Sequence, residues 1–219
     1  MNWILDFDDT LAVGPTTWAL TVILPEIIAA NNLPFDQARF TEATLRAQEI
    51  AVETSDDQAI LDEMFRELNW PTHLKQDIVA RMYKEYQPSL YEDTLRFLER
   101  LKTEGHTALV ISNNNYAPHI AQQLGINQYV AGIFTPKVCG GLPTKPERDM
   151  WDYVVAQGLM NADVPVIVVG DDPWSEGTFA DNVGQSCWIL DRMGRYSSLH
   201  ARYPSYRWAA GLDDIVTTL

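Results

Sequence analysis

Asp6, Asp8 and Asp9 crowd together directly behind Trp3-Ile4-Leu5, with Phe7 between them and Thr10 next. Carboxylates repel one another and resist burial. Three of them closing an apolar run therefore form either a solvated turn or a site that needs negative charge. Other polar groups stand in the same relation to apolar runs. Ser112-Asn113-Asn114 follows TALVI, and Gly170-Asp171-Asp172 follows VIVV. Lys145 opens the helix-like segment KPERDMW, where Pro146 suits a first-turn position. The set comprises acidic ligands for a hard divalent cation, one lysine, and hydroxyl and amide donors for an oxyanion.

These groups can share one pocket only if the strands before them are parallel and end at the same edge. Four runs fit strands buried on both faces: WIL before Asp6, TALVI before Ser112, VIVV before Gly170 and CWIL before Asp191. YVAGIF at 129–134 is a weaker candidate, and YRWA reads as a final edge strand. Helical patterns alternate with them. Glu92 to Glu104 carries Leu95, Leu98 and Leu101 and stops at Gly105, and others cover Ala117 to Leu124 and Arg148 to Gln157. LDDIVTTL reads as a closing helix. The alternation predicts an α/β fold with a doubly wound, Rossmann-like parallel sheet and ligands at the carboxyl ends of the strands.

Between Pro15 and Gln87 the alternation stops. Four amphipathic helical stretches run over Thr16–Ala30, Asp36–Val52, Asp57–Leu68 and Thr72–Tyr86, parted by NNLP, TSDD and NWPT. The expected organisation is a catalytic core of residues 1–14 and 88–219 with an inserted helical cap of 15–87.

Composition narrows the partners. The chain has 219 residues, 46% of them hydrophobic, and a formal net charge of −14. That charge argues against nucleic acid and against an anionic membrane surface. It leaves room for a small anionic substrate, because a bound cation reverses the field locally. The cysteines, Cys139 and Cys187, lack metal-site or disulfide spacing, and no secretory leader is evident; the expected location is cytoplasmic. His73, His106, His119 and His200 show no metal-ligand spacing.

The order D-x-D-x-T, a strand ending in S-N, then K-P, then hhhhGDD resembles the haloacid dehalogenase (HAD) superfamily of phosphotransferases, over nearly the whole chain. The resemblance implies that Asp6 is the nucleophile and forms an aspartyl-phosphate. It makes Asp8 the general acid and base, and Lys145 a partner of Asp6 and of the phosphate. Mg²⁺ would be held by the Asp6 carboxylate, the Asp8 backbone carbonyl and Asp171. Thr10, Ser112, Asn113 and Lys145 would surround the transferring phosphoryl group. A carboxylate at position 8 favours a phosphate ester over a halide, since halide needs no proton on departure. The implied activity is a Mg²⁺-dependent phosphomonoesterase acting on a small phosphorylated metabolite.

Two departures from the family pattern stand out. Glu176 occupies the place of a second aspartate in the fourth motif, and Asp172 could serve instead; either could support the metal. Asp9 stands where many members have glycine, which suggests a left-handed turn. Thr16, Thr17 and Trp18 could line a cleft beside the first motif, though packing within the cap suits Trp18 better. Trp174 could touch substrate, and Arg46 and Arg81 could grip a distal anion, but solvated helix faces fit those arginines better. Competing functions are a phosphomutase using the same intermediate, a phospho-accepting receiver-like domain, and a silent binding protein.

Overall fold

The computed structural model describes residues 1–54, 59–161 and 163–216. The chain divides into two compact units, Met1–Val13 with Pro88–Leu219, and Gly14–Gln87.

The first unit is built on a six-stranded sheet in the order β3-β2-β1-β4-β5-β6, with every pairing parallel. The strands are β1 (Asn2–Leu5), β2 (Thr107–Ile111), β3 (Gly132–Phe134), β4 (Val166–Gly170), β5 (Ser186–Leu190) and β6 (Arg207–Ala209). From β1 the chain winds outward through β2 and β3 on one side and through β4, β5 and β6 on the other. The order therefore reverses at β1/β4, the point at which sheets of this kind bind ligands beyond their carboxyl ends. Trp3, Ile4 and Leu5 are all buried, as a strand covered by helices on both faces requires.

Register decides which polar residues meet. Leu5 is level with Val110 on one side and Val169 on the other. The ladder continues past β1, with Asp6 N donating to Val169 O at 2.8 Å. Ser112 N likewise donates to Phe134 O at 2.9 Å. Asp6, Ser112 and Asp171 thus leave three adjacent strands on one edge of the sheet.

The second unit is helical, with α1 (Pro15–Trp18) and α2 (Leu24–Asn31) joined by a wider helical turn at Ala19–Ile23, followed by α3 (Gln37–Thr54), α4 (Ala59–Leu68) and α5 (His73–Glu85). Left-handed Asn32 (φ 49°) and Asn69 (φ 55°) close α2 and α4, as the NNLP and NWPT breaks suggest. Asp36 caps α3 by accepting from Arg39 N at 2.8 Å. Ile23, Met64, Phe65 and Ile78 form its own core. Arg46 pairs with Glu63, and Arg81 with Glu26 and Glu85, so these arginines are taken up by carboxylates of their own unit. Trp18 packs edge-on against Tyr86 at 5.7 Å between ring centroids. The expected start of the third helix at Asp57, and most of the TSDD break, lie outside the described residues.

In the first unit α6 (Thr94–Thr103), α7 (Ala117–Gln123), α8 (Asp149–Ala156), α9 (Thr178–Val183) and α10 (Leu212–Val216) accompany the strands. α6 ends on Gly105 at φ 73°, as read. It begins at Thr94 and buries Thr94, Phe97, Leu98 and Leu101 on one face, which leaves Leu95 exposed. YVAGIF yields a strand only at Gly132–Phe134, since Ile126–Tyr129 is a 3₁₀ turn. YRWA does supply the edge strand, and the last residues of the closing helix lie outside the described ones. The pattern over Arg148 to Gln157 gives α8 at Asp149–Ala156, with Arg148 and Gln157 as its caps, but the helix does not reach back to Lys145 as KPERDMW suggests. Asn113 engages that segment instead: its amide takes the Lys145 N–H (2.8 Å) and the Lys145 carbonyl (3.1 Å), so the carbonyl is not free for a helical ladder.

Candidate active site

Three side chains meet beneath the ends of β1 and β4. Asp6, Lys145 and Glu176 are each less than 10% exposed, at 7%, 4% and 3%. Lys145 Nζ donates to Asp6 Oδ1 at 2.6 Å and lies 2.6 Å from Glu176 Oε1. An ammonium so deeply buried persists only because carboxylates face it. Glu176 is fixed in turn by Ser175 Oγ (2.9 Å) and by the Asp172 N–H (3.1 Å).

The loop after β4 decides which acid faces this lysine. Asp172 is extended (φ −117°, ψ 113°) before Pro173, and its carboxylate caps the following helical turn. It accepts from Trp174 N at 2.8 Å and Ser175 N at 3.2 Å. The turn Pro173–Gly177 then swings Glu176 back over Gly170. A Cβ at Gly170 would lie only 2.0 Å from Glu176 Cγ, so a glycine there makes the space for the glutamate. Trp174 is buried edge-on against Tyr196, 6.1 Å between ring centroids.

The turn after β1 carries the other acids. Leu11 N and Ala12 N both donate to Phe7 O, at 3.0 Å each, and Asp9 adopts φ 58°. This is the left-handed geometry the sequence suggested for Asp9. Asp8 Oδ2 accepts from Asn114 Nδ2 at 2.8 Å. Ser112, 1% exposed, accepts from Asn114 N at 3.1 Å, while α7 begins only at Ala117. Its hydroxyl thus closes a local turn instead of capping a helix. Thr10 is fully buried, and its hydroxyl has no hydrogen-bond partner among the described residues.

Two arginines that the motif reading passed over hold this edge. Arg192 donates to Thr10 O (2.8 Å) and Asp9 O (3.3 Å), and to both oxygens of Asp93 (2.9 and 3.0 Å). It also stacks 3.9 Å from the ring centroid of Tyr91, whose hydroxyl donates to Asp9 Oδ1 at 3.1 Å. Arg195 donates to Asp171 Oδ2 at 3.3 Å. The one sequence signal for this pair was their place just past the carboxyl end of β5.

Among the described residues Asp6, Asp171 and Glu176 offer one carboxylate oxygen each, all within 4.8 Å of one another. All-oxygen donors at that spacing suit Mg²⁺. The electrostatics point the same way. Burial pushes the Asp6 carboxyl up to about 8 against the pull of Lys145, with Glu176 and Asp8 adding to the rise. Burial, with Asp9 and Glu176 nearby, raises Asp171 well above the usual carboxylate range, and Arg195 opposes that rise. Burial and Glu176 take Asp172 up to about 7. Carboxylates outnumber the cations that face them, a surplus that a divalent ion would neutralise.

Of the residues singled out from sequence, Asp6, Lys145, Asp171 and Glu176 converge on one cluster. Asp8 joins its edge through Asn114, and Asn113 acts on the backbone of Lys145. Asp172 turns its carboxylate to its own loop.

The site thus consists of an acidic cluster and one buried lysine at the carboxyl ends of β1 and β4 in a doubly wound parallel sheet. The family model described as haloacid dehalogenase-like hydrolase matches residues 3–184, and the chain belongs to that family. No curated protein sequence matches it. Solved structures share its fold at low identity. A HAD family hydrolase from Deinococcus radiodurans, with bound phosphate and sodium, superposes with a TM-score of 0.71 at 16% identity, over 99% of this chain and 93% of that one. YfnB from Bacillus subtilis, assigned to the HAD hydrolases and solved with magnesium, gives 0.64 at 14% identity, over 100% and 97%. A HAD phosphatase from Thermococcus onnurineus gives 0.61 at 16%, over 99% and 96%.

Proposed function

We propose that this hydrolase is a Mg²⁺-dependent phosphomonoesterase that cleaves a small phosphorylated metabolite through an aspartyl-phosphate on Asp6. The observation that carries the reading is the pairing of two acids on one turn: Asp6 fixed by Lys145, and Asp8 two residues on, held by Asn114. A nucleophile and a separately oriented acid are what phosphate-ester cleavage needs, whereas expelling a halide needs only the first.

A divalent ion held by the Asp6 and Asp171 carboxylates and the Asp8 backbone carbonyl, with Glu176 near enough to add an oxygen, would neutralise charge on the phosphoryl oxygens. The Asp6 oxygen attacks phosphorus, and the P–O bond to the leaving alcohol breaks as Asp8 protonates that oxygen. Asp8, now ionised, takes a proton from water, whose oxygen attacks phosphorus. Inorganic phosphate leaves and Asp6 is regenerated. Lys145 holds Asp6 in line and offsets its repulsion toward the incoming dianion. Ser112 and Thr10 serve as hydroxyl donors beside the phosphoryl group, and Asn113 keeps Lys145 in place. The helical unit, spliced in directly after the nucleophile's turn, is read as the cap that selects the leaving group.

The test is phosphate release from a panel of phosphorylated metabolites and an aryl phosphate, with and without Mg²⁺. Turnover that EDTA abolishes and that Asp6→Asn removes is the expected result. Activity unchanged in Asp6→Asn would overturn the assignment. Isomer formation from a hexose phosphate, without phosphate release, would make the protein a mutase instead.

A further inference from the structure

Arg195 is an unusual neighbour for a carboxylate that would bind a metal. Its backbone is pinned, since the Arg195 and Tyr196 N–H groups donate to Asp191 Oδ1 and Oδ2 at 2.7 and 2.9 Å. Gly194 at φ 67° makes the turn that aims the side chain inward. The guanidinium lies 4.9 Å from the ring centroid of Tyr196 and is only 15% exposed. Its bond to Asp171 is single and long, one terminal nitrogen to one oxygen at 3.3 Å. Arg192, by comparison, makes four bonds, to Asp9, Thr10 and Asp93. Arg195 is thus held firmly by its backbone and loosely by its charge.

Asp171 brings a carboxylate oxygen within 4.8 Å of those of Asp6 and Glu176, so negative charge is crowded there. Lys145 is already shared between Asp6 and Glu176. A guanidinium and a divalent ion at the same carboxylate repel each other. We propose that Arg195 is a built-in counter-ion for Asp171 that gives way to Mg²⁺, so that the Arg195–Asp171 pair and metal binding oppose each other. The inference rests on reading Asp6 and Asp171 as metal ligands. Its consequence is a site that stays ordered when empty and fills at a higher Mg²⁺ concentration than its carboxylates alone would require.

The test is calorimetric titration of EDTA-stripped full-length protein with Mg²⁺, paired with thermal unfolding with and without the ion. Arg195→Gln should bind Mg²⁺ about 10-fold more tightly, the size usual for coupled binding events. It should also melt at a lower temperature without metal and show a larger upward shift when metal is added. Arg195→Lys, which keeps the charge, should stay near the wild-type affinity. Arg195→Met, which keeps an aliphatic stem against Tyr196, is a second neutral variant should the glutamine form fail to fold. Neutral variants that bind with equal or weaker affinity than the wild type would overturn the inference alone, leaving Arg195 to orient Asp171. A wild type that binds no Mg²⁺ would overturn the metal reading and this inference with it.

Discussion

Glu176 occupies the space that a side chain on Gly170 would need. A Cβ there would sit 2.0 Å from Glu176 Cγ and 2.6 Å from its Cβ, although the two residues are six apart in sequence and separated by a helical turn. The glycine lets the glutamate lie flat over the end of β4, and the glutamate in turn reaches Lys145. Gly170→Ala should therefore push Glu176 off the lysine. We expect a loss of stability of about 1–3 kcal/mol, the usual penalty for overpacking, together with weaker Mg²⁺ binding. Chemical denaturation and metal titration would measure the two effects. A variant with wild-type metal affinity would show that Glu176 can reach Lys145 by another path.

Lys145 neutralises two buried acids at once. Lys145→Met would leave Asp6 and Glu176 facing each other without a cation. Breaking one side of a buried ion pair costs roughly 3–5 kcal/mol. The substitution should destabilise the metal-free protein by that order and abolish turnover, and added Mg²⁺ should recover part of the stability but not the activity. Thermal unfolding in the two conditions, beside a rate assay, separates these effects.

Asp8 and Asn114 form a second functional pair through their 2.8 Å bond. Asp8→Asn should slow turnover by about 100-fold or more, as expected for a lost acid–base group. A hydrogen bond to a charged group contributes about 1.5–3 kcal/mol. Asn114→Ala should accordingly slow turnover by about 10-fold with KM little changed, because the amide orients Asp8. Turnover at the wild-type rate would reduce Asn114 to a scaffold role.

The acidic surplus predicts a pH dependence of opposite sign in the two metal states. Asp6, raised from 3.8 to about 8, keeps its proton in the folded, metal-free protein over a range in which the unfolded chain has lost it. The folded state then binds more protons than the unfolded one, so stability falls as pH rises across that range. EDTA-treated protein should melt at a lower temperature near pH 8 than near pH 6. Binding of Mg²⁺ requires ionised carboxylates, so it should release protons and tighten with rising pH. Titration in buffers of different ionisation enthalpy would count the protons; none released would contradict the ligand set.

The strands that build the site were legible because each is an uninterrupted apolar run. WIL, TALVI, VIVV and CWIL needed no context to read as strands covered on both faces. Once parallel pairing is granted, the polar residue after each run must lie on the same edge, so Asp6, Ser112 and Asp171 could be placed together from sequence order. Asp9 was also readable, because few residues other than glycine accept its φ of 58°.

Side-chain direction inside the loops was not legible. Asp172 and Glu176 are both acids of one loop, and nothing in their order tells which faces Lys145. The turn Pro173–Gly177 decides it, spending Asp172 on backbone N–H groups and rotating Glu176 inward. The segment from Lys145 reads as a helix start, but Asn113, 32 residues earlier, engages the Lys145 backbone instead. Arg192 and Arg195 lie beyond the fourth motif, and only the β4–β5 pairing carries their loop back to the Asp9 turn and to Asp171. Local pattern determined which residue types stand at the strand ends, because hydrophobic runs and turn geometry are properties of neighbours along the chain. Which carboxylate meets which cation was decided by tertiary structure alone, because charge pairing depends on distances that sequence separation does not fix.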